Sequence, residues 1–176
     1  MKIAGVVLAG GLSSRMGQDK AELLYQGKTL LVHCIERLSQ SHVEQVIISR
    51  NRPDCVADIY PQSGPLGGIH AVMSQYAFDG YLFLPVDMPL VDEALLSALI
   101  SAGAATRRIS CYSSSCLPVY IPYRDDIVDF IQQQLQQNGK RSIVYLLEQF
   151  EHQRIACPND SMLVNINTLQ DWQALV

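Results

Sequence analysis

Apolar runs that alternate with helical patterns predict an α/β domain, with a mostly parallel sheet and helices on both faces. Three observations carry that prediction. Ile3 to Leu8 is a continuous apolar run, as a strand buried on both sides must be. Leu30, Leu31, Cys34, Ile35 and Leu38 then trace one face of a helix. A second run rich in β-branched residues, Val43 to Ser49, follows it.

The remaining elements follow in the same alternation. A stretch around 57–60 reads as a short third strand, Ser63 to Gly68 as a loop rich in Gly and Pro, and Ile69 to Tyr76 as the helix after it. Tyr81 to Pro85 is a further apolar strand that ends at Val86-Asp87-Met88-Pro89. Asp92 is placed to cap a helix running to about Ala102, with Leu95, Leu96 and Leu99 inward. Strands near 109–113 and 117–121 precede a Gln-rich helix from about Asp125 to Gln137, which Asn138-Gly139 stops. Ser142 caps a short helix to Gln149, a strand is expected at 163–166, and a C-terminal helix starts from Thr168. No linker, repeat or low-complexity segment interrupts the chain, so residues 1–176 read as one domain.

Composition narrows the class. Close to half of the 176 residues are apolar, enough for a substantial core. No apolar run reaches the roughly 18–20 residues that span a bilayer. Met1-Lys2 leads directly into the first strand rather than into a secretory leader, so a cytoplasmic protein without a membrane partner is expected. The net charge of −4 is spread along the chain with no basic stripe, which excludes the usual footprint of a nucleic-acid binder. Five cysteines without a CxxC pair, and four histidines without HxxxH spacing, argue against a disulfide framework or structural zinc. Reduced thiols are expected, and the neighbours His33 and Cys34 read as packing, because adjacent helical residues do not face each other.

The functional statement sits directly after the first strand. Residues 8–20 read Leu-Ala-Gly-Gly-Leu-Ser-Ser-Arg-Met-Gly-Gln-Asp-Lys. Glycines let the backbone approach a ligand, successive main-chain N–H groups then face anionic oxygens, and Arg15 and Lys20 add full charges. A Walker loop is excluded, because Gly17 is followed by Gln18-Asp19 instead of Lys-Ser/Thr. A dinucleotide fingerprint is excluded too, because Gly10-Gly11 is followed by Leu12. This is a glycine-rich anion cradle of a third kind.

Val7 to Lys20 closely resembles the signature of the molybdenum cofactor guanylyltransferase family. Gly64-Pro65-Leu66-Gly67-Gly68, Pro85-Val86-Asp87-Met88-Pro89 and Val164-Asn165-Ile166-Asn167-Thr168 resemble the same family in the same order. Gln137-Asn138-Gly139-Lys140-Arg141 matches a basic segment found there. The resemblance implies a three-layer α/β/α, Rossmann-like nucleotidyltransferase with a partly mixed sheet, its N-terminal part binding nucleotide and its C-terminal part facing a pterin substrate. It implies transfer of GMP from GTP to the phosphate of molybdopterin, with Mg²⁺ as cofactor and pyrophosphate as leaving group. A molybdoenzyme or another cofactor-biosynthesis protein is the partner class it implies. Gly10-Gly11 stands where the CTP-using relative typically carries Ala-Gly, which favours GTP. The alternatives are a cytidylyl- or other nucleotidyltransferase, and a non-catalytic nucleotide-binding homologue.

Site roles follow from that resemblance. Leu8, Ala9, Gly10, Gly11 and Lys20 are assigned to the nucleotide and its triphosphate, with Arg15 near the leaving group or the incoming phosphate. Asp87, at a strand end, is the metal ligand and with Lys20 and Arg15 a catalytic residue, since Mg²⁺ prefers carboxylate and phosphate oxygens. Asn51 is assigned to guanine, and Gly67 to close approach of the base or ribose. Relatives also place an Asp before Gly-Pro-Leu-Gly to accept from guanine N1–H and the 2-amino group. The nearest alignment puts Pro61 there, which has no acceptor side chain, with Asp58 close in sequence. Asn165 and Asn167 are expected on one face of a strand toward the metal or pterin, and Arg141 at the molybdopterin phosphate. Capping of the last helix is the competing role for Asn167.

Overall fold

The computed structural model describes residues 1–10 and 19–175. A six-stranded sheet runs through the molecule in the order β4-β1-β5-β7-β6-β8. Its strands are β1 (Ile3–Leu8), β4 (Gln45–Ser49), β5 (Gly80–Pro85), β6 (Ile109–Tyr112), β7 (Val119–Pro122) and β8 (His152–Ile155). β1 is parallel to both β4 and β5, β6 is parallel to β8, and β7 is antiparallel to β5 and β6. The expected mostly parallel, partly mixed sheet is therefore present, with β7 as the reversed strand. A small hairpin, β2 (Leu24–Tyr25) and β3 (Lys28–Thr29), stands apart from it.

Alternation along β1 assigns the two faces. Val6 belongs to a core with Ile47, Phe83, Leu66, Ile69 and Ile131, beneath α2 (Gly64–Gln75) and α4 (Asp125–Gln136). Val7, its neighbour, belongs to the opposite core with Leu82, Leu84, Leu30, Leu38 and Leu96, beneath α1 (Leu30–Gln40) and α3 (Glu93–Thr106). Two separate cores, one per face, make the three layers. The short helices α5 (Ile143–Gln149) and α6 (Leu169–Leu175) complete the chain. Asp92 caps α3 by accepting from Leu95 N–H at 2.9 Å, and Ser142 caps α5 through Tyr145 N–H at 3.2 Å, both as expected. No helix among the described residues is long and apolar enough to cross a membrane, and all five cysteines are free thiols.

Three local expectations are corrected. Ser63 to Gly68 is not a loop throughout, because Gly64 opens α2. Pro65 sits in its first turn, where its missing N–H is not needed, so a Gly-Pro pair starts a helix here. The stretch at 57–60 forms no strand; a single bridge between Ser49 and Val56 takes its place. The last strand is β8, not 163–166. β8 reads His-Gln-Arg-Ile and pairs only with β6 at the sheet edge, so it lacks the apolar run that marks inner strands. Leu163 and Ile166 are buried, but from a 3₁₀ turn over Asp160–Leu163 and the irregular segment after it.

Candidate active site

The strand order creates the site before any side chain is considered. The chain leaves β1 toward β4 on one side and later enters β5 on the other, so the carboxyl ends of β4, β1 and β5 flank a crevice where connections diverge. A cavity of about 570 Å³ occupies that crevice. It is lined by Leu8, Ala9 and Gly10 after β1, by Ser49, Asn51 and Asp58 after β4, and by Pro85, Val86 and Asp87 after β5. Asp19, Lys20, Leu117 and Asn167 close it, with Gly64, Pro65 and Gly68 from the start of α2. Backbone bonds tie the three strand exits together. Ala9 N–H donates to Ser49 O at 2.9 Å, and Val86 N–H donates to Leu8 O at 3.0 Å.

At the β5 side three distant segments meet. The Lys20 ammonium donates to Asp87 Oδ2 at 3.1 Å and to Asn167 Oδ1 at 3.0 Å. Asp19 places Lys20, because its Oδ1 accepts from Ala21 N–H at 3.1 Å and so caps the 3₁₀ turn Lys20–Glu22. Ile166 N–H donates to Asp87 O at 2.8 Å, which brings the C-terminal segment alongside β5. Among the described residues no group of three or more His, Cys, Asp or Glu forms a metal cage. Asp87 and Asn167 nonetheless aim two hard oxygens at one cationic atom, the donor chemistry that suits Mg²⁺ shared with substrate phosphates. Behind the site, Cys34 is buried, and that burial, with the Asp87 charge, pushes its thiol up to about 12, so it is inert packing.

At the β4 side the loop 50–58 presents polar groups. Asn51 Oδ1 accepts from Asp58 N–H at 2.9 Å, which folds the loop back on itself. Burial raises the Asp58 carboxyl above the ordinary carboxylate range, and the Asn51 side chain opposes that shift. Ser49 is almost fully buried on the cavity floor. A Cβ on Gly68 would lie 2.4 Å from Ser49 Oγ, so only glycine lets α2 approach β4 this closely.

The structure brings together Leu8, Ala9, Gly10, Lys20, Asn51, Asp87 and Asn167 of the sequence-assigned residues. Gly11 and Arg15 lie outside the described residues. Gly67 does not line the cavity; it packs behind the wall, where an added Cβ would meet Ser63 at 2.9 Å, and Gly68 takes the lining position. Asn165 and Asn167 share no strand face, because 164–167 is irregular; Asn165 is exposed outside the cavity. Thr168, not Asn167, caps α6, in a reciprocal box where Thr168 N–H donates to Asp171 Oδ2 at 2.8 Å and Asp171 N–H donates to Thr168 Oγ1 at 3.1 Å. Arg141 lies outside the lining residues, donating to Gln62 O at 3.2 Å and to Asn138 Oδ1. Pro61 and Asp58 both line the cavity, so a carboxylate stands in the wall to which Pro61 also belongs. Register alone could not find Asp58, because the loop closure through Asn51 decides where it points.

Comparison with known proteins agrees with this architecture. The family model for a MobA-like NTP transferase domain matches residues 5–155. A molybdenum cofactor guanylyltransferase from Xanthomonas euvesicatoria pv. vesicatoria is 34% identical over 179 residues, covering 98% of this chain and 93% of its own length. Molybdopterin-guanine dinucleotide biosynthesis protein A from Archaeoglobus fulgidus shares the fold with a TM-score of 0.78 at 21% identity, over 98% of this chain and 96% of that one. Rv0371c from Mycobacterium tuberculosis, in a structure with manganese, superimposes with a TM-score of 0.70 at 20% identity, covering 99% and 98%.

Proposed function

The chain belongs to the MobA-like NTP transferase family, and we propose that it transfers GMP from GTP to the phosphate of molybdopterin. A phosphate oxygen of the pterin forms a bond to the α-phosphorus, the α–β bridging bond breaks, and pyrophosphate leaves. The observation that carries this reading is the junction of Lys20, Asp87 and Asn167 at one side of a cavity whose other side holds Asn51 and Asp58. β1 separates the two sides, and two strand spacings amount to about 10 Å. That span suits a nucleoside triphosphate laid across the strand ends.

Each residue has a role that its position supports. The Lys20 ammonium exchanges its carboxylate partner for triphosphate oxygens, which carry more charge and spread it as the α–β bond opens. The β1 exit, Leu8 to Gly10, gives the backbone surface on which those phosphates lie. Asp87 and Asn167 are the residues that would hold Mg²⁺, which would supply charge neutralisation for the triphosphate and the leaving pyrophosphate. Rv0371c, which shares this fold, was solved in complex with manganese, and that supports a divalent ion as the metal here. Asp58, ionised, accepts from guanine N1–H and the 2-amino group, and Asn51 holds the loop that presents it. Arg141, which donates to the cavity-lining Gln62 through its carbonyl, is the cation assigned to the pterin phosphate in this reading.

Turnover of purified molybdopterin with GTP, CTP or ATP in the presence of Mg²⁺ tests the proposal, read as pyrophosphate release. GTP is expected to be preferred by at least about a hundredfold, as buried donor–acceptor pairing allows. Preference for CTP would sink the guanine assignment while leaving nucleotidyl transfer standing.

A further inference from the structure

We propose that Arg50 is a positioning residue that fixes the span between the triphosphate side and the base side of the cavity. The inference rests on the reading that the cavity holds a nucleoside triphosphate with its phosphates at Lys20 and its base at Asp58. Arg50 is the first residue after β4, and its side chain is only 10% exposed. Its Nη2 donates to Asp19 Oδ2 at 2.6 Å and to Glu22 Oε1 at 2.9 Å. Asp19 is the residue before Lys20, and its other oxygen caps the turn that carries Lys20. One carboxylate thus faces both ways, toward the lysine turn with Oδ1 and toward β4 with Oδ2.

The other end of Arg50 is fixed just as firmly. Arg50 N–H donates to Val56 O at 2.9 Å, Val56 N–H donates to Ile48 O at 2.9 Å, and Arg52 N–H donates to Arg50 O at 2.8 Å. Those bonds close the loop on which Asn51 and Asp58 sit. The guanidinium therefore joins the segment after β1 to the segment after β4, across the cavity edge.

Charge arithmetic argues for geometry over attraction. Arg50 and Arg52 face Asp19 and Glu22 in one cluster, two positive charges against two negative, so the group adds no net pull on a triphosphate. Arg50 itself does not line the cavity, whereas Asp19 does. Buried ion pairs are also poor sources of stability, because desolvation offsets their attraction, and fixing one arrangement is the use that remains. Arg52 reaches the same Asp19 oxygen at 3.5 Å from a 63% exposed position, where an ion pair adds little.

The test compares whole and divided ligands. Binding of GTP, guanosine and inorganic tripolyphosphate, each with Mg²⁺, is measured for the wild type, Arg50→Met and Arg50→Lys. If Arg50 sets the span, Arg50→Met weakens GTP on the order of tenfold, because the second half of the ligand no longer meets its subsite at the right separation. Guanosine and tripolyphosphate each keep wild-type affinity within about twofold, since each touches one side only. Arg50→Lys, with a single ammonium for two carboxylates, recovers part of the loss. Unchanged GTP affinity in Arg50→Met overturns the proposal. Loss of tripolyphosphate binding equal to that of GTP also overturns it, by showing direct phosphate contact. Equal weakening of all three ligands overturns it as well, by showing general loosening. Should Arg50→Met not fold, Glu22→Ala removes one of the two carboxylates that hold the same guanidinium, from a 60% exposed position outside the cavity lining, and is read the same way. A failed guanine reading shows earlier and separately, as a wild type that prefers cytidine and CTP.

Discussion

Where β5 leaves the sheet, the Asp87 carboxylate and the Asn167 amide oxygen meet at the Lys20 ammonium, at 3.1 Å and 3.0 Å from it. Where β4 leaves it, an amide and a half-buried acid are held by one loop that closes on itself. The first side works by full charge and is assembled from three segments far apart in sequence. The second works by donor and acceptor matching and is assembled within residues 50–58. The physics differs accordingly. Charge on charge tolerates small displacements and binds any triphosphate, whereas an unpaired guanine edge costs desolvation that no other contact returns. Rate should therefore reside at the β5 side and base choice at the β4 side.

Removing the charged groups should have the largest effect. Lys20→Ala and Asp87→Ala are each expected to lower kcat by on the order of 10²–10³, the scale seen when one preorganised stabilising group is lost at a transition state. The ratio of GTP to CTP turnover should stay unchanged in both. Chelation of the divalent ion should abolish turnover while leaving thermal unfolding unmoved, because no described cluster forms a structural metal cage. Pyrophosphate release and a melting curve read these outcomes. A shift in base preference in either variant would break the division between the two sides.

Asp58→Asn should act the other way round. An amide at this position presents a donor to the guanine 2-amino group, so kcat/KM for GTP is expected to fall by about a hundredfold. Xanthine carries an oxygen at that carbon, which the new amide can donate to, so XTP should gain what GTP loses. Competition between GTP and XTP measures the exchange. Equal loss with both nucleotides would mean that Asp58 supports the loop and does not read the base.

The two sides also differ in how legible they were. Residues 8–20 announce an anion cradle because glycines and cations stand together in the sequence directly after an apolar run. Asp87 was legible for the same reason, as a carboxylate directly after an apolar strand. Asp58 was not, because its direction depends on the bond from its own N–H to Asn51 and on the bridge between Ser49 and Val56. The edge strand β8 escaped notice because an edge position relaxes the apolar pattern that revealed β1 and β5. Ser63 to Gly68 was misread because Gly and Pro mark helix starts as well as loops, and only the packing of Gly68 on Ser49 separates the two.

Acidity offers a finer test of the β4 side. Burial raises the Asp58 carboxyl, so its proton is taken up at a higher pH than an ordinary Asp requires. Guanine needs the ionised form as acceptor, so GTP affinity is full above that raised value and falls as pH drops through it. Below it the loss approaches about tenfold per pH unit, the slope of a single titrating group. KM for GTP measured downward from neutral pH should rise before KM for CTP does, and Asp58→Asn should flatten the difference. Parallel curves for the two nucleotides would remove Asp58 from base recognition.

The smallest expected effect separates two asparagines that sequence alone treats as a pair. A strand would place Asn165 and Asn167 on one face, and their substitution would then cost alike. The irregular backbone after the 3₁₀ turn instead buries Ile166 between them, its N–H fixed to Asp87 O, and leaves Asn165 exposed outside the cavity. Asn167 alone has its side-chain oxygen beside the Lys20 ammonium. Asn167→Ala should therefore lower kcat/KM by about tenfold, as expected for one hydrogen bond to a charged group. Asn165→Ala should stay within about twofold of the wild type. Its C-terminal neighbours are not disturbed, since the cap of α6 lies in Thr168 and Asp171. A loss at Asn165 equal to that at Asn167 would show that the pterin reaches beyond the cavity wall and meets the outer residue as well.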